Sequence, residues 1–211
     1  MKINITFAHS LEEVPQSSIC TLLCPCPEPE ELIRASRESG SAIIAGPVTR
    51  SGQYGLVCAV EEKIFFQPMC FLSEGQKAVY TPGTDVEVIS TPWGKLALCC
   101  EEDLFQPMYP RAAALKGCLL LSARVSAMDD ALRISGPWSA CQSNCLPISL
   151  AREADGELIL PCAMTADGSG FGESSIDTEA LQKAYREFPI FESLNKDFYR
   201  RYREVLLCST D

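Results

Sequence analysis

"GKLALCCEEDLFQPMYPRAAALKGC", Gly94 to Cys118, divides into three pieces. Lys95 to Cys100 is an apolar run of strand length. Pro107 to Lys116 reads as a helix, with proline at its start and Gly117 as its stop. Between them lies a junction of Cys99, Cys100, Glu101, Glu102 and Asp103. A thiol at a strand end beside carboxylates is a common setting for a nucleophile. Along an extended strand, Ala97, Cys99 and Glu101 share one face, and Leu98 and Cys100 share the other.

The same alternation of strands and helices extends outward. "KINITFA" and "SICTLLC" read as strands, and "PEELIRASRESG" as a helix with acids in its first turn and Gly40 as its stop. "SAIIAGPV" is a strand, and "YGLVCAV" and "KIFFQPMCFL" pair as a hairpin around "EEK". "VEVIS" precedes the opening stretch as a strand, and "CLLLSA" follows it as another. "GPWSACQSNCL" reads as a helix, and "PISLA" and "ELILPCAM" as strands. "DTEALQKAYREFPIFESL" is a helix capped by Asp177, and Phe198 to Leu207 forms a last short helix or tail. Strands also follow strands directly, so the pattern predicts two sheets covered by helices in one α/β domain over residues 1–211.

The 46% apolar share is enough for a large core, and a net charge of −10 argues against a nucleic-acid or anionic-membrane surface. The densest basic stretch, Arg200 to Arg203, reads as a solvated helix end. No run approaches the length of a membrane span, and the N-terminal stretch lacks a secretion signal, so a cytoplasmic protein is expected.

Twelve cysteines is a high count. Most lie in apolar runs, where cysteine acts as a small hydrophobe in a reducing compartment. The close pairs, Cys24/Cys26, Cys99/Cys100 and Cys141/Cys145, lack the C-x2-C spacing of a zinc knuckle, and the single histidine, His9, is remote in sequence. No metal or cofactor is expected.

"GKLALCCEEDLFQPMYPRAAALKGCLLL" resembles the nitrilase, or carbon–nitrogen hydrolase, superfamily, which carries G-R-x-G-x-x-I-C-Y-D-x-R-F-P-E-x-x-R-x-x-A-x-x-G-A at this place. "ESGSAIIAGPV" and "YTPGTDVEVISTPWG" upstream resemble further family segments, as do "SACQSNCLPISLA" and "SSIDTEALQKAYREFPIFESLNKDFY" downstream. The resemblance implies a four-layer α-β-β-α sandwich and a homodimer paired helix to helix. It also implies a Glu–Lys–Cys triad that hydrolyses amides or nitriles.

The triad does not carry over. Counting from Gly94 forward and from Pro107, Arg111 and Gly117 back, the nucleophile position holds Glu101, and Cys100 falls one residue early. The lysine position falls on Met69 in "QPMCFL". The first glutamate matches Cys26, or Glu28 if the turn is two residues longer, and a helix normally found between the first two strands is missing. Glu102, Asp103, Trp138 and Asn144 fall at pocket positions. For Glu101 the plain reading is a surface acid at a strand end, for Met69 a core side chain, and for Asn144 a helix-end hydrogen bond. The resemblance therefore implies a catalytically degenerate, homodimeric binding or scaffold protein, with a small polar ligand in the old pocket. Two alternatives stay open: an amidase using a displaced Cys99 or Cys100, with Glu101 or Glu28 as base, and a thiol-rich redox or metal-handling protein.

Overall fold

The computed structural model describes residues 1–125, 143–144, 146–154, 157–164 and 174–187. Eleven strands form two sheets in the described residues. The first sheet takes β1 (Lys2–Ala8), β2 (Ile19–Leu22), β3 (Ala42–Arg50), β4 (Gln53–Val60) and β5 (Lys63–Pro68), with β11 (Ser174–Asp177) beside β1. The second takes β6 (Ile89–Thr91), β7 (Gly94–Cys100), β8 (Leu120–Val125), β9 (Ile148–Ala154) and β10 (Glu157–Met164) in that order. Helices are α1 (Pro29–Ser39), the short α2 (Glu74–Lys77), α3 (Met108–Leu115) and α4 (Thr178–Glu187).

Side-chain parity sorts the core into three layers. Ile3, Ile5, Ile19, Ile44, Leu56, Leu96, Leu98 and Leu120 meet between the two sheets. Cys20, Leu22, Ile43, Val57 and Ala59 face outward from the first sheet and enclose Leu32 of α1. Ala97, Cys99, Leu121, Ala123 and Ile148 face outward from the second and enclose Tyr109, Ala113 and Ala114 of α3. The result is the expected α-β-β-α sandwich.

Local signals explain the helix ends. Pro29 opens α1, and Gly40 closes it in the left-handed conformation (φ 70°), where a side chain would be strained. Gly117 (φ 79°) does the same after α3. The Glu179 N–H donates to Asp177 Oδ1 at 2.9 Å, the expected cap of α4. β1 and β2 pair in parallel although only residues 9–18 join them, with a 3-10 turn, η1 (Leu11–Glu13), in place of a helix. The strand predicted over "VEVIS" narrows to Ile89–Thr91, and "KIFFQPMCFL" leaves the sheet after Pro68. The helix predicted over "GPWSACQSNCL", apart from Ser143, Asn144 and Leu146, and the tail from Phe198 lie outside the described residues.

Candidate functional site

β1, β2 and β3 run parallel, and so do β7, β8 and β9. The C-terminal ends of each set therefore fall at one edge of its sheet. Two contacts tie these edges together across the sandwich, one through Asp103 and one through Arg124.

The strand β7 ends at Cys100, and Glu101 opens a 3-10 turn, η2 (Glu101–Phe105). The expected sharing of a face holds for Ala97 and Cys99, and the strand that carries it ends before Glu101. The strand alternation runs to Cys100, which is still extended, and the 3-10 turn begins after it. Cys99 points outward into the layer beneath α3, and Cys100 points between the sheets. Both are 0% exposed. Tyr109 of α3 lies over this strand, and its hydroxyl donates to the Leu98 carbonyl at 2.5 Å. Burial holds that phenol well above its usual range, and the neighbouring Cys99 and Asp103 push the same way.

Asp103 is fully buried and acts as a main-chain latch. The N–H groups of Cys70 and Phe71 donate to its carboxylate, at 3.0 and 2.7 Å. The segment that the resemblance assigned to the lysine is thereby fastened to η2. Met69 itself is 0% exposed; its N–H donates to Tyr54 O and its carbonyl accepts from Gly83 N–H. Burial, with Asp103 and Asp85 adding, pushes the Cys70 thiol up to about 12. A thiol held neutral in this way is a poor nucleophile.

A cavity of ≈ 330 Å³ opens beside this latch, lined by Cys70, Phe71, Leu72, Lys77, Pro82 and Gln106 among others. Phe71 is 40% exposed on its wall. Lys77 reaches it from α2, with its ammonium 2.6 Å from Glu74. The sequence reading missed this lysine because it lies eight residues beyond Met69, the position that the resemblance assigned to a lysine. α2 is a single turn, with Ser73 as its cap.

Arg124 was also missed. It lies on β8 opposite Cys100 in the parallel register and is 7% exposed. Its Nη1 donates to Leu22 O at 3.3 Å and to Gly46 O. Leu22 ends β2, and Gly46 sits at the irregularity of β3 between Ala45 and Val48. Such a break leaves a carbonyl outside the ladder, available to a side chain. The parity of Leu120, Ser122 and Arg124 was the available signal: an arginine on the inward face of an apolar strand needs acceptors.

On the other side, Glu28 is exposed at the N-cap of α1, where its N–H donates to the Glu31 carboxylate at 3.4 Å. Cys26 is half-buried, and its Sγ donates to Pro27 O at 3.4 Å. Burial raises its thiol, an effect opposed by the charges of Arg50 and Arg124. Asn144 is buried, and its Oδ1 accepts from Arg111 of α3 at 3.3 Å. Glu102 follows Glu101 in the η2 turn, and Trp138 lies outside the described residues.

No family model matches the chain, and no curated protein matches it. Solved structures do. A carbon–nitrogen hydrolase from Helicobacter pylori G27 superposes with TM-score 0.74 at 16% identity, over 98% of this chain and 99% of that one. A CN-hydrolase superfamily protein from Xanthomonas campestris gives TM-score 0.76 at 12% identity, over 93% and 98%. Nit3 of Saccharomyces cerevisiae, a nitrilase-superfamily member, gives 0.73 at 11%, over 92% and 96%. The chain has the fold of the nitrilase superfamily. The likeness is one of architecture.

Proposed function

We propose that this chain is a catalytically degenerate nitrilase-superfamily protein that acts as a homodimeric binding or scaffold protein. The observation that carries this reading is Met69. The position assigned to the family's lysine holds a fully buried thioether, in a segment latched by Asp103. A thioether has no positive charge to stabilise a developing oxyanion, and losing one such donor typically costs about 10²–10³ in rate. At the nucleophile position Glu101 replaces a thiol. The displaced candidates, Cys99 and Cys100, are sealed in two different core layers. The cavity beside Phe71 and Lys77 is of a size for a small ligand with polar and apolar parts.

The dimer reading rests on α3. Met108 and Leu115 are 52% and 54% exposed, and residues seven apart lie on the same helix face. An exposed apolar pair there suits a second copy of the same helix. Light scattering at micromolar concentration should give a dimer mass, and Leu115→Glu should give a monomer.

The test of the whole reading is ammonia release from simple amides and nitriles. The native chain should release none above background. Release that disappears in Cys99→Ala or Cys100→Ala would replace this reading with the amidase one.

A further inference from the structure

The layer between the sheets is mostly apolar, but three hydroxyls interrupt it. Thr21, Ser122 and Ser149 are 2%, 1% and 1% exposed, and none of their hydroxyls has a hydrogen-bond partner among the described residues. All three point between the sheets. Ile19 and Leu120 face that layer, so Thr21 and Ser122, each two residues further along its strand, face it too. Ile148 and Leu150 face outward, so Ser149 between them faces inward.

Strand register brings the three to one level. Ser122 and Ser149 are direct partners on the adjacent strands β8 and β9, with Leu98 of β7 on the other side of Ser122. In the first sheet, Thr21 is level with Phe7 of β1 and Ile44 of β3. Arg124 fixes how these two rows face each other. It lies two residues beyond Ser122, and it bonds the carbonyls of Leu22, next to Thr21, and Gly46, two residues beyond Ile44. The threonine row and the serine row are therefore opposed, one step below that bond. Facing sheets pack about 10 Å apart, a distance that larger side chains span by interdigitating. Two serines opposite a threonine are too short to span it, so their hydroxyls border a small polar site flanked by Leu98, Ile44 and Phe7.

We propose that Thr21, Ser122 and Ser149 form a buried site for one small monovalent anion of the halide type. A buried hydroxyl left unpaired costs free energy, and each hydroxyl proton needs an acceptor. One water molecule accepts at most two hydrogen bonds, so it leaves the third proton unpaired. A halide accepts all three, and it brings no proton of its own into the apolar surroundings. A buried anion also needs positive charge nearby, and the Arg124 guanidinium lies one row above. The bound ion links β2 of one sheet to β8 and β9 of the other. This inference does not depend on whether the fold hydrolyses anything.

The experiment is thermal unfolding of the native chain in sodium bromide, with sodium gluconate holding the ionic strength constant because gluconate is too large for the site. Bromide should raise Tm and saturate, by roughly 3 °C at tenfold excess over Kd. Thr21→Val and the double variant Ser122→Ala/Ser149→Ala should each lose that rise. In gluconate both should be at least as stable as the native chain, because they remove unpaired buried hydroxyls. That sign separates loss of the site from damage to the fold. A crystal of the native chain grown in bromide should show an anomalous peak within hydrogen-bond distance of all three hydroxyl oxygens, whether or not the variants fold. Overturning results are no bromide-specific rise, a rise of equal size in the native chain and the variants, or density at the hydroxyls without anomalous signal, which would be water.

Discussion

The ends of β2 and β7 are two strand ends of the same kind with opposite characters. Each is parallel to a neighbour, and each releases cysteines at the edge where the other sheet's strands also end. At the end of β7 both thiols are sealed, one beneath α3 and one between the sheets. The turn that follows is fixed to Cys70 and Phe71 by a buried carboxylate. At the end of β2 the thiols are half-buried in a proline-bounded loop, and Glu28 beyond them faces solvent. The β7 end holds the position that the family resemblance assigned to a nucleophile, yet its thiols are closed off. Of these two strand ends, β2 has the less buried thiols. Position in a fold does not make a thiol reactive; exposure and the charges around it do.

The largest effect should come from cutting the latch. Asp103→Ala removes the acceptor of two main-chain N–H groups inside the protein. Hydrogen bonds to a charged group contribute about 1.5–3 kcal/mol each, so a loss of roughly 3 kcal/mol or more is expected by urea denaturation. The β2 loop should be unaffected, and its thiols should label at the native rate. A loss under about 1 kcal/mol would mean that the β7 end is held by packing alone.

The contrast between the two ends can be sharpened with a new thiol. If the register from Gly94 to Gly117 is right, Glu101→Cys places sulfur just past the sealed strand. Its alkylation by iodoacetamide should be at least about 100-fold faster than that of Cys99 or Cys100, which need local opening to react. Cys24 and Cys26 should label in the fast group with it. Labelling of residue 101 no faster than Cys99 would show that the position does not face a pocket.

Much of this was legible in the sequence, but only where the cause is local. Pro29, Gly40, Gly117 and Asp177 marked helix ends through backbone preference and capping, and the structure puts the ends there. The core parity of β7 was legible as far as Cys100. The break after it was not, because η2 is set by Asp103 bonding a segment some thirty residues earlier. Arg124 reaching Leu22 and Gly46 is likewise a cross-sheet bond with no periodic trace. The parallel pairing of β1 and β2 through a link without a helix ran against the usual βαβ pattern.

A smaller effect is expected from Tyr109→Phe, which leaves the ring under β7 and deletes its bond to Leu98 O. The net contribution of one neutral hydrogen bond is about 1 kcal/mol. A matching fall in stability, with Cys99 still protected from alkylation, would show that packing by α3 keeps the thiol closed. If Cys99 becomes reactive instead, the hydroxyl pins α3 down, and the seal at β7 is a polar one.

The smallest effect belongs to Glu28, the residue that the family resemblance offered as a base. It caps α1 from the solvent side, and its main-chain N–H is bonded to the Glu31 carboxylate. Glu28→Ala keeps that N–H and removes an acid near the positive end of the helix dipole. An exposed charge there contributes about 0.3–1 kcal/mol at low salt. The expected loss is therefore a few tenths of a kcal/mol, and it should shrink further at high salt as the dipole interaction is screened. A catalytic or ligand-gripping carboxylate behaves differently: its removal changes binding or turnover with no salt-dependent stability signature. Denaturation of Glu28→Ala at two ionic strengths separates the roles. A loss above about 2 kcal/mol that does not change with salt would mean that Glu28 turns inward and the β2 end is less open than its exposure indicates.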